Sequence, residues 1–124
     1  MNGGAVSIDV DETRKLIRIT VMGLLLTDAV LVECSKLARA TPEWQNGYSA
    51  LVDLSRITNA KVSSHVVVTL AQAAQRDTNR VAILARNIAA FGMARMYETI
   101  ADLKKSRVGV FTDEGSAINW LTER

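Results

Sequence analysis

Catalysis in this chain would have to start from its rarest reactive side chains, one histidine, His65, and one cysteine, Cys34. A nucleophilic relay would need His65 as base, Ser63 or Ser64 as nucleophile and Asp53 as the orienting acid. Nothing in their spacing demands that arrangement, and a histidine in a first helical turn is most often a surface residue. Cys34 recurs with Val30 and Leu37 on an apolar face, the pattern of a small core residue rather than of a reactive thiol. A zinc site without a second His or Cys would need an unusual set of carboxylates. The run Asp9-Val10-Asp11-Glu12 begins like a calcium loop. The glycine required at the sixth loop position is Arg14, and the glutamate required at the twelfth is Thr20, so the run reads as a solvated turn. Gly3-Gly4 lacks the strand–Gly–helix context of a phosphate loop. Lys104, Lys105 and Arg107 form a basic cluster after a helical segment, where positive charge complements the helix dipole. No aromatic side chains interleave with them as a single-strand nucleic-acid surface would require. The expectation is a protein that is not an enzyme, with no catalytic residue, metal, cofactor or nucleic-acid partner.

The elements that would position any site are legible from pattern. The 124 residues suit one domain, 1–124, and 48% apolar with 23% charged residues are globular values. Fifteen Lys and Arg against thirteen Asp and Glu leave a net charge of +2, too balanced to imply a polyanionic partner. A lone cysteine fits a reducing compartment. Residues 1–9 lack the basic start and apolar run of a signal peptide, and no apolar run approaches the ~20 residues that span a bilayer. A cytoplasmic protein with no membrane insertion is expected.

Val6, Ile8 and Val10 alternate with polar residues, and Ile17, Ile19 and Val21 share one face of a second strand, Leu16 to Val21. The charged turn between them makes an antiparallel hairpin. Thr27 caps a helix carrying Val30, Cys34, Leu37 and Ala38, and Pro42 stops it. Tyr48 to Leu54 reads as a strand. Ser63 to Arg76 is ambiguous between the β-branched run Val66 to Thr69 and the helix-forming run Ala71 to Gln75, and is assigned as a helix capped by Ser63 or Ser64. Arg80 to Ala85 is a buried strand, Asn87 to Lys105 a helix, Arg107 to Thr112 a strand, and Asp113 to Leu121 a helix capped by Asp113. The last three strands alternate with helices and should be parallel. The expected fold is α/β, a single mixed sheet of about five strands with an N-terminal antiparallel hairpin and helices packed on it. In the helix from Asn87, Ala89, Met93, Met96, Ile100 and Leu103 form one stripe expected to face the sheet. Arg95, Glu98, Thr99 and Asp102 form the opposite wet face, with Ile88 and Phe91 on it.

Several segments resemble STAS domains, the fold of the bacterial anti-sigma-factor antagonists. Val52-Asp53-Leu54-Ser55-Arg56-Ile57 is similar to a STAS strand end. Arg80 to Leu84 followed by Ala90 to Glu98, and Val108 to Glu114 followed by Ala117 to Leu121, are similar to a group of small bacterial STAS/SEC14-like, or SpoIIAA-like, proteins. The likeness runs from about Leu16 to the end. It implies a mixed sheet with helices on it, and the SEC14 side implies a cleft for an apolar ligand. In the classical antagonists a phosphorylatable serine opens the helix after this strand, in an Asp-Ser-Ser-Gly context. The matching residues here are Lys61, Val62, Ser63 and Ser64, and a one-residue shift places Ser63 at the phosphoacceptor position.

The functional expectation is a domain that binds a partner protein or an apolar or amphiphilic small molecule. The alternatives are a phosphorylation-controlled antagonist using Ser63, and a small enzyme with its site at the strand C-terminal ends. Open α/β sheets form crevices at those ends. There the loops 55–64 and 85–91 carry the candidate ligand-binding residues Ile57, Ser63, Arg86, Ile88, Phe91 and Arg95. An apolar body with an anionic head, such as a fatty acid, fits helix N-termini and these arginines. The surplus apolar surface at Phe91, Met93 and Tyr97 implies a homodimer built on that helix.

Overall fold

The computed structural model describes residues 5–102 and 107–123. The first strand, β1 (Val6–Asp11), pairs antiparallel with β2 (Leu16–Val21), so the expected hairpin is present. Its turn is held by the Asp11 carboxylate, which accepts from the Arg14 amide at 3.0 Å, while Lys15 takes the left-handed conformation at φ 54°. A short β3 (Leu25–Thr27) leads into α1 (Asp28–Ala40). The Thr27 hydroxyl accepts from the Val30 amide, capping α1 as its position predicts. Pro42 then does more than stop α1. It opens a one-turn helix, α2 (Pro42–Gln45), where its missing N–H is harmless. Gly47, at φ 85°, turns the chain into β4 (Ser49–Asp53).

After β4 come a short β5 (Asn59–Lys61) and α3 (Ser64–Ala74), capped by the Ser63 hydroxyl on the Val66 amide. The ambiguous segment is therefore helical. Val67, Ala71 and Ala74 lie at helical spacing on its buried face, and their burial outweighs the β preference of the valine run. The chain continues through β6 (Val81–Leu84), α4 (Ile88–Ala101), β7 (Val108–Phe111) and α5 (Glu114–Thr122). Asn87 and Asp113 cap α4 and α5.

The main sheet has the order β1-β2-β4-β6-β7, antiparallel at β1-β2 and parallel elsewhere, the mixed five-stranded α/β sheet expected. A second, two-stranded parallel sheet pairs β3 with β5. Both of its strands have three residues, too few for a periodic signal.

Strand alternation assigns the two faces. Ile17, Ile19, Val21, Ala50 and Ile83 belong to the larger core with residues of α1, α3 and α4. Leu16, Leu51, Ala82 and Leu84 belong to a smaller core with Ala117 and Leu121 of α5.

The face expected for α4 is corrected. Ala90, Ala94 and Ala101 are its buried residues, while Ala89 is exposed. Met93, Met96 and Ile100 are half-buried at its flanks, and Leu103, Lys104 and Lys105 lie outside the described residues. Phe91, placed on the wet side by periodicity, packs half-buried against the larger core. The physical reason is size: alanines let α4 approach α3 and the sheet closely, whereas a methionine stripe would hold it away. Among the described residues no helix is long and apolar enough to cross a membrane.

Candidate functional site

Between the larger sheet face and helices α1, α3 and α4 lies a cavity of about 100 Å³. Its sheet wall includes Ile19, Ala50, Val52 and Ile83. Small side chains face that wall from the helices: Cys34 and Ala38 on α1, and Ala74 on α3. Where a longer aliphatic chain would fill such a gap, these leave space. Met93 and Tyr97 line it from α4.

The polar groups of the lining gather at one end. Arg39 stands in the last turn of α1, Asp77 follows α3, Asn79 precedes β6 and Arg107 precedes β7. This is the N-terminal end of the parallel strands. Arg39 grips Asp77 with two parallel hydrogen bonds, 2.9 Å from Nη1 and 2.8 Å from Nη2. Its guanidinium also lies 5.9 Å from the ring centre of Trp44. The bonded Asp77 hydrogen bond holds the Arg39 pKa above its ordinary value, outweighing partial burial. Asn79 is buried and donates both Nδ2 hydrogens, to the Trp44 carbonyl at 3.0 Å and the Tyr48 carbonyl at 2.8 Å. It thereby ties α2 and the start of β4 to the mouth of the cavity.

Tyr97 and Arg107 are less satisfied. Burial pushes the Tyr97 hydroxyl up to about 12, with the Asp77 charge adding to it and Arg39 and Arg107 opposing. Among the described residues the Tyr97 hydroxyl makes no hydrogen bond. Two buried guanidinium Nε atoms lack a hydrogen-bond partner among those residues, on Arg80 and Arg107. Arg80 stacks 4.1 Å over the Trp120 ring. The Arg107 guanidinium reaches the Gln75 carbonyl at 3.5 Å and forms no ion pair among the described residues, while the Arg107 amide donates to both oxygens of Asp102 at 3.1 Å.

The residues expected at the strand C-terminal ends are partly brought together. The Asn87 side chain donates to the Thr58 carbonyl at 2.9 Å, so the two loops do meet. Ile57 is buried in the core, whereas Ile88 is 90% exposed. Ser63 caps α3, and its own amide donates to the Asp28 carboxylate at 2.8 Å. Arg86 donates to the Thr112 carbonyl, and Arg95 pairs with Glu98 at 3.4 Å. None of the six lines the cavity. Of the expected dimer residues, Met93 and Tyr97 line the cavity and Phe91 packs on the core, so their apolar area is turned largely inward. Among the described residues the exposed large apolar side chains are instead Val10, Met22, Leu24, Leu25 and Ile88.

A second polar cluster sits on the α5 face. One Arg18 nitrogen donates to Asp53 at 2.6 Å and to Glu114 at 2.7 Å. Burial alone would raise the Asp53 pKa, but the Ser55 hydroxyl and amide together with Arg18 hold it below the carboxylate range. The Arg18 hydrogen bond likewise lowers Glu114. Both acids are thus held as anions against one cation, an arrangement that fastens α5 to the sheet. His65 is exposed, Asp53 is engaged with Arg18, and the Ser63 oxygen serves the Val66 amide, so no relay joins the three. Cys34 is buried, and burial pushes its thiol up to about 12, as befits a core side chain.

Sequence reasoning missed Arg39, Asp77 and Asn79. The only signal was an Asp-Thr-Asn turn between a helix and a strand, which by itself means a turn. Compared with known proteins, the chain matches no family model, no curated protein and no solved structure.

Proposed function

We propose that this domain binds a small apolar or amphiphilic molecule, without transforming it, in the cavity between the sheet and α1, α3 and α4. The observation that carries this reading is an apolar cavity whose polar groups converge on one mouth, the usual build of a small-ligand site. The resemblance to STAS/SEC14-like proteins agrees with an apolar ligand. The volume sets the scale: an aliphatic cavity of about 150 Å³ holds benzene, so this one takes roughly four carbon atoms. A long fatty-acid chain exceeds it. The test is mass spectrometry of solvent extracts from protein isolated from its own cells without detergent, beside Ala38→Leu. Leucine adds three carbons to the cavity wall. A stoichiometric small molecule present in wild type and absent from the folded variant is expected. Extracts of both proteins without such a molecule would overturn the reading.

A second reading, a partner-protein surface, is favoured by the exposed side chains at the opposite end of the sheet. Leu24, 62% exposed, accepts through its carbonyl from Thr58, which in turn accepts from Asn87 beside Ile88. Arg56 approaches the Met22 sulfur at 4.0 Å. Arg56, Lys61 and Arg86 are exposed there and form no ion pair among the described residues. Apolar anchors beside Arg56 and Lys61 fit an acidic amphipathic segment of a partner. Leu24→Asp with Ile88→Asp should abolish capture of such a segment while leaving the extract unchanged. Unaltered capture of an acidic amphipathic peptide by the double variant would remove this reading.

A further inference from the structure

The mouth of the cavity carries two cations, Arg39 and Arg107, and one carboxylate, Asp77. Asp77 is already engaged by both nitrogens of the Arg39 fork, and the Asp102 carboxylate accepts from the Arg107 and Val108 amides, so the Arg107 guanidinium forms no ion pair among the described residues. The four residues between 102 and 107, Leu103 to Ser106, contain no acid that could neutralise it. A guanidinium beside an apolar cavity, held by one long hydrogen bond to a carbonyl, has Nη donors left to offer an acceptor. Tyr97 lines the same cavity, and its hydroxyl, which feels the charges of Asp77, Arg39 and Arg107, makes no hydrogen bond among the described residues.

We propose that the ligand of this cavity is a short-chain monoanion of about four apolar carbons, whose carboxylate or equivalent anionic head is received at the mouth by Arg107 and the Tyr97 hydroxyl. This rests on the cavity being a ligand site, and it adds the charge, the size and the orientation of the molecule. The apolar tail lies toward Leu31, Cys34, Val52 and Val67, and the head lies at the N-terminal ends of β6 and β7. Asp77 opposes an anion and limits how close it comes to Arg39. Arg107 therefore contributes more to the preference for charge than Arg39 does.

The experiment compares sodium pentanoate with pentanamide, equal in shape and different in charge, by two-dimensional NMR titration of the whole chain. Pentanoate should saturate and shift resonances of the lining residues, and should bind roughly tenfold or more tightly than pentanamide, as expected for a hydrogen-bonded charge pair. Raising salt should narrow that ratio. Arg107→Gln should bring pentanoate close to the affinity of the amide, and Arg107→Lys should restore part of the preference. Equal affinities for the two probes in wild type would overturn the assignment of an anion and leave the cavity reading standing. An undiminished preference in Arg107→Gln would overturn the role of Arg107. No saturable binding of either probe to wild type would overturn both the inference and the reading it rests on. The wild-type ratio and its salt dependence keep the question decided even where a variant folds poorly.

Discussion

Single side chains at the cavity mouth do structural work over long stretches of chain. Asn79 joins carbonyls 31 and 35 residues away, and Arg39 and Asp77 are separated by 38 residues. Replacing Asn79 by alanine strands two inward carbonyls without donors. Asn79→Ala should therefore cost about 2–3 kcal/mol, read as a lower urea midpoint at unchanged slope. Asn79→Ser retains one donor and should lose less. A cost below about 0.5 kcal/mol for the alanine variant would mean that water replaces the side chain without penalty.

At the scale of elements, the helices owe their starts to local caps and their orientation to the size of what they bury. The Ser63 hydroxyl accepts from the Val66 amide at 3.2 Å, and α3 has neither an acidic residue in its first turn nor a basic one in its last. Ser63→Ala should accordingly cost about 1 kcal/mol, and Ser63→Asp, which restores a capping oxygen, should recover most of it in thermal melts. On the other face, α5 packs through Trp120, whose ring lies 5.5 Å from that of Phe111, over Gly109. A Cβ at Gly109 would stand 2.8 Å from the Phe111 ring. Gly109→Ala must displace a ring already fixed against Trp120 and should destabilise by about 1–3 kcal/mol. Phe111→Leu in the same background should return part of that loss, a coupling measured by a double-mutant cycle.

For the whole molecule, the ionisable groups bound the pH range of stability from both sides. Asp53 and Glu114 have folded pKa values below the ordinary range. Their contribution is present above about pH 4 and is lost as pH falls through the lower folded values. Cys34 and Tyr97 are both pushed up to about 12. Their contribution is complete below the ordinary thiol and phenol values of about 8.5 and 10, and is lost as pH rises toward the folded ones. The urea midpoint should therefore be level between about pH 5 and 8 and fall at both ends. Cys34→Ala should flatten the alkaline decline between about pH 8.5 and 10, and Arg18→Met should alter the acid limb and leave the alkaline one unchanged. An alkaline limb identical in wild type and Cys34→Ala would show that the thiol is not held neutral by burial.

What was legible in the sequence was local. Alternation in Val6–Val10 and Ile17–Val21 specified the hairpin, because a pleated strand repeats every two residues. Thr27, Asp113 and the pair Ser63-Ser64 announced helix starts, because a capping oxygen reaches amides two or three residues on. The order of strands and helices then restricted the last three strands to parallel pairing. The tertiary structure decided what no local pattern contains. Periodicity put Ala89 and Met93 toward the sheet, yet close approach to α3 selected the smaller side chains of Ala90, Ala94 and Ala101. The cavity arises only where Cys34, Ala38 and Ala74, each an ordinary helical residue, face the same stretch of strand wall. The mouth lies at the N-terminal strand ends rather than at the loops 55–64 and 85–91. The end of α1, the turn after α3 and the residue before β7 converge there only once the sheet has assembled. Arg39 and Asp77 belong to no motif, Arg107 reads with its lysine neighbours as a complement to a helix dipole, and proximity in the fold is what pairs the first two and leaves the Arg107 guanidinium without an ion pair among the described residues.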